Sequence, residues 1–352
     1  MFLNGRGEHE DDYRQPLSKR AAHHHGVTRS GLVVKIVAVE EHMFPRDILQ
    51  AAGLALELGS RGGRKADELD DLGDGRLRTM DDAGISVQVL SALAHIVQEL
   101  EPEQSVAVSR ALNDRMAATV AAHPDRFRAF ATLPMSSPEE AVTELRRAVD
   151  DLGFVGAMIH GQTNGVFLDH LSVRPVLACA EALAVPIYLH PAPPPHAVHD
   201  AYYSGLEPDV GAALATAGWG WHAECGMHVL RMIVGGVFEQ HPALRVIVGH
   251  MGEGLPFHLA RADDMLSPLI KNHAASVADT VHRNLYITTS AYTTVAPLQC
   301  ALTVVGADRI LFSVDYPFAD SARVTAFLRD APLSPADRTK IAHANAESVL
   351  KL

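Results

Sequence analysis

Cysteine is scarce in this sequence: Cys179, Cys225 and Cys300 are the three among 352 residues. An odd number without the close pairing of a metal knuckle excludes a disulfide framework and a thiolate zinc site, and points to a reducing cytoplasm. Positive charge is also short, with 30 Lys and Arg against 42 Asp and Glu for a formal net charge of -12. Such a balance excludes a surface built to neutralise nucleic-acid phosphates or to cling to anionic lipid. No apolar run is long enough to span a bilayer, and residues 1–31 lack the apolar core of a signal peptide. That stretch, which holds His23, His24 and His25, reads as a flexible tail ahead of one large domain over 32–352. Nucleophile elbow, phosphate loop and dinucleotide fingerprint are all missing.

What the chain does have is a beat. Eight short Val/Ile/Leu/Phe-rich runs, at 32–42, 86–93, 127–134, 154–161, 185–191, 244–252, 285–292 and 309–317, alternate with amphipathic stretches. One such stretch, SPEEAVTELRRAVDDLG (137–153), carries a start signal, a helical stripe and a stopping glycine. Eight strands separated by helices predict an α/β fold, a (β/α)8 TIM barrel, with a doubly wound sheet as the competitor. The run ends favour the barrel. Glu40 and His42, His160, His190, His250 and Asp315 close five of the runs, and a barrel brings those ends to one face.

Strand alternation places Glu40 and His42 on the face of Val34, Ile36 and Ala38, with Glu41 pointing the other way. The same parity pairs His160 with Met158, His250 with Val246 and Val248, and Asp315 with Leu311 and Ser313. Imidazole nitrogen with carboxylate oxygen is the ligand set of zinc, manganese or iron. Six such groups exceed what one catalytic ion with an open position needs, which predicts a second metal.

At these residues the chain resembles the amidohydrolase superfamily, in the branch that includes non-oxidative aromatic decarboxylases acting on resorcylate, dihydroxybenzoate and carboxyvanillate. The resemblance spans about 33–350 and rests on VEEH (39–42), RLRTMDDAGISVQVLS (76–91), YLHP (188–191), GHMGEGLPFH (249–258) and RILFSVDYPF (309–318). It implies that Glu40, His42, His190 and Asp315 are metal ligands, with His250 a ligand or catalytic neighbour and Glu253 its partner. It further implies that Asp315 protonates a ring carbon, and that the protein is a homo-oligomer.

One position departs from that branch, whose members usually carry asparagine where this chain has His160. A neutral imidazole bridges two cations poorly, so two ions held separately or through solvent are expected. His222, Glu224 and His228 in GWGWHAECGMH (218–228) are candidates to join the second. That combination resembles the amidohydrolase-fold non-haem diiron monooxygenases that hydroxylate CoA-linked diterpenoid substrates. The resemblance implies two iron ions, dioxygen and an external electron donor. Arg61, Arg64 and Lys65 in SRGGRK would then meet CoA phosphates. The insertion 191–206 would roof the pocket, lined by Tyr202, Tyr203, Trp219, Trp221 and Phe318.

The leading expectation is therefore a diiron monooxygenase, an oxidoreductase. Its rival is a decarboxylase of a hydroxylated aromatic acid using one zinc or manganese ion. Metal-dependent hydrolysis and a non-catalytic metal-stabilised scaffold stand behind these two.

Overall fold

Val, Ile and Leu crowd the eight runs because each strand is covered on both faces, by the barrel interior and by outer helices. The computed structural model describes residues 35–55, 62–271 and 273–352, so the expected tail and Arg61 lie outside the described residues. Strands form inside all the expected runs: β1 (Val37–Met43), β2 (Val87–Ala92), β3 (Phe127–Ala129), β4 (Ala131–Thr132), β5 (Ala157–His160), β6 (Ile187–His190), β7 (Val246–Val248), β8 (Leu285–Thr288) and β9 (Ile310–Leu311). β3 and β4 are halves of one run, parted at Phe130. Every pairing between these strands is parallel, in the orders β1-β2-β3 and β4-β5-β6-β7-β8-β9.

Backbone bonds stitch the two arcs into a ring. Phe130 N–H donates to Leu90 O and Ala131 N–H to Gly156 O at one seam. At the other, Val39 N–H donates to Phe312 O, Asp315 N–H to Glu40 O and His42 N–H to Tyr316 O. Helices including Pro102–Ala122, Pro138–Arg146 and Arg174–Ala182 fill the crossovers, giving the expected (β/α)8 barrel. The capping insertion follows β6 as two short helices, His196–Tyr202 and Pro208–Ala215, ahead of the long helix Gly220–Val234. Among the described residues, no helix is long and apolar enough to cross a membrane.

The barrel interior is a buried cluster of Val37, Val39, Val89, Phe130, Met158, Tyr188, Ile247 and Leu311. Val349 and Leu350, on the helix Asn345–Leu350, belong to the same cluster with Val37 and Val87, so they close the end where the strands begin. This corrects the parity expected for β1. Val37 and Val39 face the interior, while Ala38 joins the outer core with Met43 and Leu90. The cause is a register shift: Ala38 pairs with Gln88 but Glu41 with Leu90, so β1 carries one extra residue between them. Such a bulge re-aims the side chains that follow it. Val39 and Glu40 are thus both inward, and His42 follows two residues on.

The parity expected for His250 also fails, because Val246 and Val248 belong to the outer core and Ile247 to the interior. His250 reaches the site through a turn in which His250 and Met251 take φ of 48° and 57°. His160 and Asp315 follow the expected alternation, above Met158 and Leu311. Glu41 faces away from the site and is fully buried, accepting from Gln88 Nε2 at 3.2 Å and Val314 N–H at 2.9 Å.

Candidate metal centre

Five of the run-end residues converge at the end of the barrel where the strands finish. Glu40 Oε1 lies 3.1 Å from His190 Nε2 and 3.9 Å from both His42 Nε2 and His250 Nε2. Asp315 closes the set, 3.3 Å from His42 Nε2 through Oδ1 and 3.5 Å from His250 Nε2 through Oδ2. Glu40, His42, His190 and Asp315 each offer one ligand atom within 4.8 Å of the others.

The second atom of each side chain is anchored. His190 Nδ1 faces Pro191 O at 2.7 Å, so it carries the proton and leaves Nε2 with a lone pair. His42 Nδ1 meets Ser91 Oγ at 3.1 Å. Glu40 Oε2 accepts from the hydroxyls of Tyr188 and Ser290. Glu40 Oε1 and His42 Nε2, by contrast, are buried without a hydrogen-bond partner among the described residues. Buried polar atoms are normally paired. Two that are orphaned, aimed at one point and of nitrogen and oxygen type, fit a divalent cation such as zinc or manganese.

The electrostatics separate two halves of the site. Burial alone would raise the Asp315 carboxyl, yet the neighbouring imidazoles of His250 and His42 outweigh it and hold the group well below the usual range. Burial likewise works against charge on His250, but Glu253 and Glu40 push it well above its ordinary value. Glu253 is brought down to about 2 against its own burial, by His250 and by a hydrogen bond to His222. Its Oε1 lies 2.7 Å from His250 Nδ1 and its Oε2 2.5 Å from His222 Nδ1. His250 is thus held between Glu253 and Asp315. On the other side, burial and the neighbouring His190 push His160 well below its ordinary value.

The remaining expected residues are scattered. His228 turns away, its Nε2 accepting from Leu168 N–H at 2.8 Å, and Glu224 stands outside the donor clusters. His222 serves Glu253 rather than a separate group of donors around His160. Trp221 approaches His190, with ring centroids 6.5 Å apart, and Phe318 approaches His42 at 5.9 Å. Tyr203 is buried, whereas Trp219 and Tyr202 are 60% and 73% exposed and do not line the metal centre. Lys65 sits 4.5 Å over the Phe318 ring and donates to its carbonyl, while Arg64 is exposed beside Glu68.

Sequence reading missed Tyr188, which stands two residues before His190 and was findable from the alternation that found the histidine. It also missed Gln98, which holds the His160 backbone from a loop helix, and His95, whose ring lies 6.1 Å from that of His160. Nothing in periodicity marks either.

Comparison with known proteins agrees with this geometry. A profile of the Amidohydrolase family matches residues 21–352. The chain is 37% identical over 326 residues to Decarboxylase orsB of Emericella nidulans, across 90% of this chain and 97% of that protein. It is 37% identical over 333 residues to the gamma-resorcylate decarboxylase of Polaromonas sp., across 90% and 98% respectively. A crystal structure of dihydroxybenzoic acid decarboxylase from Polaromonas sp. JS666, with bound manganese and the inhibitor 2-nitroresorcinol, matches with a TM-score of 0.82 at 35% identity. That match covers 90% of this chain and 97% of the other.

These relatives overturn the expectation of a diiron monooxygenase and of an oxidoreductase. That expectation grew from surplus ligands, and the structure accounts for most of the surplus. His250 and His222 are engaged with Glu253, His228 is engaged with a backbone amide, and Glu224 stands apart. The CoA-linked substrate, the electron donor and the two iron ions expected with the oxygenase lose their basis together.

Proposed function

The chain belongs to the amidohydrolase family, and from that premise we propose that it is a metal-dependent, non-oxidative decarboxylase of a hydroxylated aromatic acid. The observation that carries the reading is the pair of orphaned, convergent atoms, Glu40 Oε1 and His42 Nε2, beside an Asp315 that is tied to His250. Glu40, His42, His190 and Asp315 would hold one manganese or zinc ion. When bound, the ion supplies a Lewis acid for the carboxylate and phenolate oxygens of the substrate.

The protein's own groups manage the proton. Decarboxylation breaks the bond between ring and carboxylate, leaves the electron pair on the ring carbon and releases neutral carbon dioxide. One proton must then reach that carbon, and no oxidant or reductant is needed. His250, kept charged by Glu253, holds that proton next to Asp315 Oδ2, and Asp315 delivers it to the ring. Phe318 and Trp221 flank the histidines and keep water from the ring face.

Anaerobic incubation of manganese- or zinc-loaded protein with 2,6-dihydroxybenzoate and related hydroxybenzoates tests the reading. Carbon dioxide and the matching phenol should accumulate without oxygen, with one deuterium on the ring in heavy water. Asp315→Asn should lower kcat by about 10²–10⁴-fold. Turnover that requires oxygen, or carbon dioxide release that Asp315→Asn leaves intact, would sink it.

A further inference from the structure

His160 is the one run-end histidine that the site described above leaves unused. It ends β5 opposite His190 in the ladder, with the two ring centroids 4.4 Å apart. Its backbone is clamped by a single side chain. Gln98 Oε1 accepts from His160 N–H at 2.8 Å, while Gln98 Nε2 donates to His160 O at 3.1 Å and to Thr163 Oγ1 at 2.9 Å. A side chain held this firmly at its root has a fixed aim.

The imidazole itself has no hydrogen-bond partner among the described residues. His160 is 1% exposed, and neither Nδ1 nor Nε2 makes a hydrogen bond. Its ring faces His42 at 6.3 Å, His95 at 6.1 Å and His190 at 4.4 Å, and one of its nitrogens lies within 4.8 Å of ligand atoms of His42 and His190. The charges felt by His160 come from these three histidines, and those felt by His95 from His42 and His190. The carboxylates of Glu40 and Asp315 pair instead with His42, His190 and His250.

An imidazole carries at least one N–H in every protonation state, so His160 presents a donor beside the candidate metal centre with nothing among the described residues to receive it. A buried donor without an acceptor is unfavourable, and an anionic oxygen is the strongest acceptor that a substrate can bring. We propose that His160 donates a hydrogen bond to the carboxylate of the aromatic acid and selects the acid over its phenol product. This assignment rests on the decarboxylase reading and adds a specificity-determining residue to it. Loss of carbon dioxide removes the acceptor, so the same contact that favours substrate entry ceases to retain the product.

The test compares zinc-loaded wild type, His160→Leu and His160→Asn by titration calorimetry and by metal count per chain. The probes are 2,6-dihydroxybenzoate and salicylate, with resorcinol and phenol as their carboxylate-free counterparts measured in competition. His160→Leu should keep one ion per chain, weaken both acids by tenfold or more and leave the phenols within twofold. His160→Asn, which retains a donor, should recover most of the affinity for the acids. Equal weakening of acids and phenols, unchanged acid affinity, or an ion lost with His160→Leu would overturn the proposal. So would two ions per wild-type chain, which would make His160 a ligand. Wild type that releases carbon dioxide while His160→Leu binds acid normally removes this inference alone. Wild type that binds neither acid removes the decarboxylase reading with it.

Discussion

His228 and His222 stand on one helix, Gly220–Val234, and serve different ends. His222 reaches Glu253, whereas His228 is buried against Phe167 and accepts a backbone N–H from Leu168. That role requires a lone pair, and burial brings the His228 ring down to about 4, with Asp169 opposing and Arg231 assisting. An unfolded histidine titrates near 6.5. Between those values the unfolded chain binds a proton that the folded chain refuses, so stability falls as pH drops from about 6.5 towards 4 and is fully present above that window. The loss attributable to this residue is roughly 3 kcal/mol at most. Urea denaturation at pH 7.5, 5.5 and 4.5 should show a shallower decline for His228→Gln than for wild type. Parallel declines would disprove the assignment. In the sequence His228 looked the same as a ligand, because residue type and helical spacing do not report which way a ring turns.

At the scale of elements, the long helix after the capping insertion is positioned by its contact with the turn that carries His250. A Cβ on Gly226 would stand 2.7 Å from the backbone oxygen of Glu253, so the helix approaches that turn as closely as glycine allows. Gly226→Ala should therefore cost about 1–3 kcal/mol of stability by overpacking. It should also lower kcat roughly tenfold or more by shifting Glu253 and His250, while metal content stays the same. Thermal unfolding, metal analysis and steady-state rates on one preparation check this, and an active, fully stable variant would contradict it. The existence and order of the strands were legible because parallel strands buried on both faces must be apolar throughout. Which residues of β1 and β7 face inward was not. One extra residue between Ala38 and Glu41, and a left-handed turn at His250, override the alternation without changing the composition of either run. The candidate ligands were legible all the same, because their residue types stand out at the run ends whichever face the preceding residues take.

For the whole molecule, the buried acids set the dependence on metal. Glu40 and Asp315 are both buried at one point; burial and the Asp315 charge raise the Glu40 carboxyl, and His250 and His190 bring it down overall. A cation that binds only the folded chain stabilises it by about 2.7 kcal/mol at a hundredfold excess over its dissociation constant. Chelation should thus lower Tm by several degrees and abolish activity, and manganese or zinc should restore both; a Tm indifferent to metal would contradict the ligand set. The composition argued against polyanion partners, but it left oxygenase and decarboxylase open, since both draw on the same nitrogen and oxygen donors. The placement of Glu40 and Asp315 reaches beyond catalysis. Asp315 N–H donates to Glu40 O across the seam where the first strand of the barrel meets the last, and the side chains of these same two residues face the metal centre. An ion held there would act as a clasp between chain segments about 275 residues apart. The barrel would come undone at its clasp, so the apo protein should be a ring open at one joint rather than one uniformly loosened.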